Sequence, residues 1–211
     1  MIPWFWLRHN QAVPRDPDVG INAYQMASST LTLPYFLDPS DQGLNATINQ
    51  KLMAFTQATL KDKSGISAET NEIRALTPNY AVIVKQAWGY GFGAAHGGSS
   101  KQHLVFSHSS PQQPWHELTY ADISAGNLQQ CLPQLRGQMI AELKKAGASM
   151  TDQLEAKDVP NLDFLPTQDG IHFYFGEYQV GSYAEGTYQV FLRYSQSHGC
   201  LKQPVNFPIT K

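Results

Sequence analysis

The run Tyr80-Ala81-Val82-Ile83-Val84 constrains the fold more than any other stretch, because its β-branched residues suit a strand at the centre of a sheet. A central strand needs neighbours. Gln102 to Phe106 supplies one, with Leu104 and Phe106 on one face and His103 and Val105 on the other, and the glycine-rich stretch Gly89 to Ser100 joins the two as a hairpin loop. Upstream, Ile21 to Phe36 is rich in Thr, Tyr and Leu and broken by Ser and Pro, which predicts one or two strands of an antiparallel pair. Asp38, Ser40 and Asp41 then offer N-cap oxygens to a helix with Leu44, Ile48, Leu52 and Phe55 at helical spacing, closing at Lys61 to Gly65. Thr119 to Asp122 resembles a capping box opening a short turn. Leu128, Leu135, Met139 and Leu143 mark a second helix ending at Lys144-Lys145-Ala146-Gly147, with Pro133 as a kink or as its true start. Ile171, Phe173 and Phe175, then Tyr188, Val190, Leu192 and Tyr194, alternate on two strands around Gly176 to Gly186. The order β, α, β, β, α, β, β predicts an α+β fold, antiparallel sheet or sheets with two main helices packed on one face.

A chain of 211 residues can bury about 70% of its unfolded surface, enough for one or two units. With no repeat and no Ser/Gly linker, the expected division is an arm at 1–20 and halves at 21–110 and 111–211, meeting near Pro111 to Pro114 and compatible with one compact unit. Ile2-Pro3-Trp4-Phe5-Trp6-Leu7 is apolar but lacks a basic n-region and a small-residue cleavage site, so it reads as a terminal arm, with an interfacial anchor as the alternative. No apolar run approaches the ~20 residues that cross a bilayer. The net charge is −2 and no basic cluster exists, which excludes a nucleic-acid partner. Charge is uneven, however: between Gly147 and Val190 seven acidic residues face Lys157 alone, net −6, and would draw a cationic partner.

Catalytic constellations are incomplete. His96-Gly97-Gly98-Ser99 looks like an esterase oxyanion loop, but no Gly-x-Ser-x-Gly elbow accompanies it. Gly89-x-Gly91-x-Gly93 lacks the third glycine of a dinucleotide loop and any Walker lysine, and reads as a turn. His96, His103 and His108 are not at His-x-x-x-His spacing, so His103 and His108 are placed on a strand and its end; no metal or cofactor is expected. Asp169 and His172 could pair as acid and base, but a carboxylate just before a turn glycine more often bonds its own backbone. Among the tyrosines, alternation places Tyr188 and Tyr194 with Val190 and Leu192 in the core, while Tyr178 and Tyr183 fall in the connection and should be exposed. Cys131 and Cys200 cannot form a four-cysteine zinc site; they are one bridge or two idle thiols, and a bridge would require an oxidising compartment.

Asp169-Gly170-Ile171-His172-Phe173-Tyr174-Phe175, Glu177-Tyr178-Gln179-Val180 and Ser182-Tyr183-Ala184-Glu185-Gly186 resemble the signature of the C-terminal domain of RsiV-type proteins: an Asp-Gly turn, a Phe-rich strand, a tyrosine, then Pro-Tyr-Ala-x-Gly. Gly93-Ala94-Ala95-His96-Gly97 is similar to the family's Gly-Gly-Ala-His-Gly loop, Glu117 to Ile123 to its Leu-x-x-Asp turn, and Ile21 to Leu60 to the preceding PdaC/RsiV-like half. The resemblance runs from Ile21 to Ser195, and Ser182 departs from the usual proline, which costs the loop a fixed φ. It implies an extracytoplasmic or periplasmic module, with a lipid anchor as an option and no leader in the sequence. In RsiV this module follows a membrane span and acts as a lysozyme receptor; in PdaC it precedes a metal-dependent deacetylase. The expected function is therefore non-enzymatic recognition of a cationic, lysozyme-like protein or of peptidoglycan, through Tyr178, Ser182, Tyr183, Glu185, Gly186, His96, Glu177 and Asp169. The alternatives are a small cell-wall hydrolase or deacetylase and a structural subunit of an envelope complex.

Overall fold

The computed structural model describes residues 18–26, 29–37, 41–61, 65–77, 79–91, 93–108 and 113–204. The apolar segment at 2–7, the cap candidates Asp38 and Ser40, the side chain of Phe55, and Pro111 lie outside what is described. The fold is α+β, with antiparallel strands and two long helices.

Strands β1 (Asp18–Met26) and β2 (Ser29–Leu37) form an antiparallel pair. Helix α1 (Gln42–Lys61) follows, and Asp41 supplies its cap: Leu44 N–H donates to Asp41 Oδ1 at 2.9 Å, while the other oxygen accepts the Trp115 indole N–H at 2.9 Å. The central run is the start of β4 (Tyr80–Gly91), flanked by β3 (Gly65–Leu76) and β5 (Gly98–Ser107), with the two-residue β6 (His116–Glu117) beyond β5. Its first five residues are buried on both faces. Ala81 and Ile83, with Leu104 and Phe106 of β5, pack under Leu44, Ile48 and Leu52 of α1, whereas Tyr80, Val82 and Val105 turn the other way onto Leu118 and Phe164. Burial pushes the Tyr80 phenol up to about 12. The expected loop from Gly89 to Ser100 is shorter, because the ladder continues until Gly89 pairs with Gly98.

After the capped turn α2 (Tyr120–Ile123), in which Thr119 N–H and Oγ–H both donate to the Asp122 carboxylate (2.7 and 2.9 Å), comes α3 (Leu128–Lys145). Pro133 neither starts nor ends α3, which runs through it; the proline is exposed, so the carbonyl it leaves without an N–H donor faces solvent. Leu128 is 49% exposed and is not part of the buried face, which is Cys131, Leu135, Met139 and Leu143. That face covers the sheet β7 (Asp163–Pro166), β8 (Gly170–Phe175) and β9 (Tyr188–Arg193), through Ile171, Phe173, Phe175, Val190 and Leu192. Each helix thus covers one face of its own sheet. Cys131 and Cys200 are joined by a disulfide. Tyr188 and Tyr194 are half-buried rather than core residues, because each hydroxyl needs an acceptor: Tyr188 donates to Glu185 Oε2 (2.8 Å) and Tyr194 to the Thr167 carbonyl (3.2 Å).

Among the contacts between the four-stranded sheet and the β7–β9 sheet, two are buried or half-buried. Phe164 packs against both the α3 core and the cluster beneath β4 and β5. His103, buried on β5, donates its backbone N–H to Asp163 Oδ1 (2.8 Å), and its Nδ1 meets Oδ2 at 2.7 Å while its ring stacks on Tyr174.

Candidate functional site

Only the first half of the β4–β5 hairpin is packed on both sides. The burial of β4 stops after Val84 and that of β5 begins at His103, so the distal half extends past its core. Its tip rests on the β8–β9 connection. Ser99 donates its N–H to Glu177 Oε2 (3.2 Å) and its hydroxyl to Oε1 (2.8 Å), fixing the hairpin to a residue 78 positions away.

Around this joint the aromatic side chains gather. His96 Nδ1 lies 2.9 Å from the Gly97 carbonyl, which can only accept, so Nδ1 carries the proton and Nε2 accepts the Tyr178 hydroxyl at 3.0 Å. The His96 ring stacks on Tyr183 at 3.9 Å between centroids, and Tyr178 and Tyr183 are 6.0 Å apart. Trp88 lies against Gly97, where an added Cβ would fall 2.5 Å from the indole. Trp88, Tyr178 and Tyr183 are 47%, 53% and 38% exposed, so three large rings stay in water around a hydrogen-bonded imidazole. Tyr178 also holds φ at +66°, unusual for a side chain of that size. It is the third residue of the Gly176–Gln179 turn, where Gln179 N–H donates to the Gly176 carbonyl (3.3 Å) and Gly176 N–H to Gln179 Oε1 (2.6 Å), and these bonds hold the conformation.

The framework beneath Tyr183 is Glu185. Its Oε1 accepts from Ser182 N–H (2.9 Å), Ser182 Oγ (2.7 Å) and Ser149 Oγ (2.7 Å), and its Oε2 from Ser149 N–H (3.1 Å) and Tyr188. These donors, the Ser149 hydroxyl first, hold its carboxyl well below the usual carboxylate range. Glu185 therefore positions the loop instead of offering a free charge. Ser182 is tied to Glu185 by two bonds, one of them from a backbone N–H that a proline in its place would lack. Gly186, at φ +75° and ψ −139°, occupies backbone space that glycine alone enters at low cost. No atom would crowd a Cβ there, so the cost of Gly186→Ala is the backbone's, about 1–3 kcal/mol in a urea titration, with an unchanged midpoint counting against it.

The remaining residues singled out in the sequence lie elsewhere. Asp169 is exposed in the turn before β8, at the opposite end of the strand from Glu177, and Thr167 rather than its carboxylate bonds that turn. His172 bonds the Gln189 side chain and packs on Phe191, and burial, then the nearby His103, lowers its pKa. The three histidines are dispersed: His96 at the tip, His103 against Asp163 and His108 stacked on Trp115. Sequence reasoning did not single out Trp88 or Ser149, and read Ser99 only as part of the His96 to Ser99 loop and its hairpin. The signal for Trp88 was a tryptophan following the polar Lys85-Gln86 near the end of a strand. Beside the joint, a groove of about 760 Å³ runs between β5 and the β7–β9 sheet, with Ser99, Lys101, Tyr174, Glu177 and Gln189 in its walls.

No curated protein matches the chain. A crystal structure of a DUF3298 family member from Bacteroides fragilis NCTC 9343 is similar, with a TM-score of 0.63 at 14% identity, over 90% of this chain and 95% of that one. A DUF3298 family protein from Pseudomonas aeruginosa PAO1 gives 0.55 at 14% identity, over 92% and 98%. At that identity the likeness is one of fold. Residues 121–195, which carry α3, the β7–β9 sheet and the Glu177 to Gly186 side of the joint, match the model of the family described as "Protein of unknown function (DUF3298)".

Proposed function

We propose that the protein is a non-enzymatic, extracytoplasmic binding module of the RsiV-like kind, which grips a cationic, lysozyme-like protein or a cell-wall ligand with the Trp88, His96, Tyr178 and Tyr183 patch. The observation that carries this reading is the meeting of two segments 82 positions apart, the hairpin tip and the β8–β9 connection, in a joint that leaves its aromatic rings exposed. Rigid aromatic rings lose little conformational freedom on binding and act as anchors. The Cys131–Cys200 bridge suits an oxidising compartment, and the acidic stretch from Gly147 to Val190 suits a basic partner.

Calorimetric titration with lysozyme, and co-sedimentation with peptidoglycan, test the reading. Binding to one of them should weaken by about 2 kcal/mol in Tyr183→Ala, a hot-spot effect. Absence of binding to both, or binding indifferent to that change, would remove it.

A further inference from the structure

The four-stranded sheet is unfinished along most of β5. Strand β6 pairs only with Phe106 and Ser107, and Leu118 N–H adds one bond to the Val105 carbonyl at 2.7 Å. From Ser99 to His103 no strand is hydrogen-bonded through its backbone to β5 on the side away from β4, among the described residues, and β7 approaches it at His103 through the Asp163 side chain.

Three contacts fix how the backbone points there. Ser99 N–H donates to Glu177, His103 N–H donates to Asp163, and the Val105 carbonyl accepts from Leu118, so all three residues face away from β4. In an antiparallel ladder this direction alternates along the strand. Lys101 therefore aims both its N–H and its carbonyl away from β4, and the Ser99 and His103 carbonyls point the same way. The 760 Å³ groove lies along this edge: all five consecutive residues from Ser99 to His103 line it, although their side chains alternate between the faces, and no residue of β4 does.

We propose that the groove binds an extended peptide, which adds as a strand beside Ser99–His103 in the line that β6 leaves. An extended polypeptide is the ligand whose own N–H and C=O groups repeat at the spacing this edge presents. Five strand residues span roughly 17 Å. The ends are closed by the Glu177 and Asp163 carboxylates, which cap the Ser99 and His103 N–H groups, so the edge admits a short segment and resists chain-after-chain sheet growth. The Lys101 ammonium is drawn to the Tyr174 ring, 5.9 Å from its centroid, and so off the backbone it would otherwise cover. This inference does not rest on the aromatic patch.

Two measurements on the full chain test it. In amide exchange the Lys101 N–H of the free protein should exchange fast and that of Gln102, paired to β4, slowly; a protected Lys101 amide would mean that the edge is already filled and would overturn the proposal. A random heptapeptide phage library panned on the chain should then yield peptides that protect the Lys101 amide and bind Lys101→Pro more than about tenfold more weakly, with Lys101→Ala, which keeps the N–H, binding as the parent. Because that amide takes no part in the β4 ladder, slow Gln102 exchange reports that the proline variant is folded. Should it not fold, N-methylation of the selected peptide gives the same answer: alternate positions should abolish binding and the ones between should not. Failure to select any peptide, selected peptides indifferent to both changes, or a soluble β-1,4-linked oligosaccharide protecting Lys101 in place of peptide would overturn it.

Discussion

Reduction of the Cys131–Cys200 bridge, or Cys131→Ser with Cys200→Ser, should lower unfolding stability by about 4 kcal/mol and the melting temperature by about 10 °C. The bridge closes a loop across 69 positions, and restricting that loop in the unfolded chain is the main source of its stabilisation on the chain-entropy account. In the folded state it secures the segment after β9. Ala125 N–H donates to the Cys200 carbonyl (3.0 Å) and Lys202 N–H to the Ile123 carbonyl (2.8 Å), so the segment is stitched to the end of α2 and pinned to the start of α3. Those bonds survive reduction, so the native contacts change little and the loss falls on the unfolded side. Both sulfur-bearing residues are buried, at 5% and 2%, so a reductant needs local opening to reach them. Urea titrations with and without dithiothreitol measure the effect; coincident midpoints would contradict it.

The second large effect lies where β5 meets β7. Asp163→Ala should cost about 3 kcal/mol, because it orphans the buried His103 backbone N–H and leaves its imidazole without the carboxylate. Asp163→Asn keeps an oxygen for the N–H and an amide that the imidazole can meet in its other tautomer, so it should recover most of the loss. Urea titration of the two variants separates hydrogen bonding from volume: equal losses would assign the effect to packing around Phe164 instead.

Elements whose signal lies in neighbouring residues were readable in the sequence. Tyr80 to Val84, the Asp41 cap with Leu44, Ile48 and Leu52, the Thr119–Asp122 box and the alternation around Phe173 are local patterns, and each forms the expected element. Strand β3 was not anticipated, since Ala68, Glu69, Asn71 and Glu72 have little strand preference. It exists because β4 offers a partner, with a register shift between Ile73 and Ala75. Strand β7 is four residues ending in Pro166, too short for periodicity and tolerable because it is an edge strand. Within the site, Tyr178 and Tyr183 were expected to be exposed from their place between strands. Glu185 was expected to draw positive charge, and it instead holds Ser149, Ser182 and Tyr188.

By itself, then, the order of residues determined the locally patterned elements, namely the Tyr80 to Val84 strand, the capped start of α1, the Thr119–Asp122 turn, the C-terminal end of α3 and the alternating strands around Phe173, and that two cysteines were available to pair. The tertiary structure alone decided that His96 meets Tyr178, that Ser99 meets Glu177, and that Lys101 faces an unfilled edge. Periodicity and capping are properties of neighbouring residues, whereas these contacts depend on how two sheets built from distant segments come together, which no local pattern encodes.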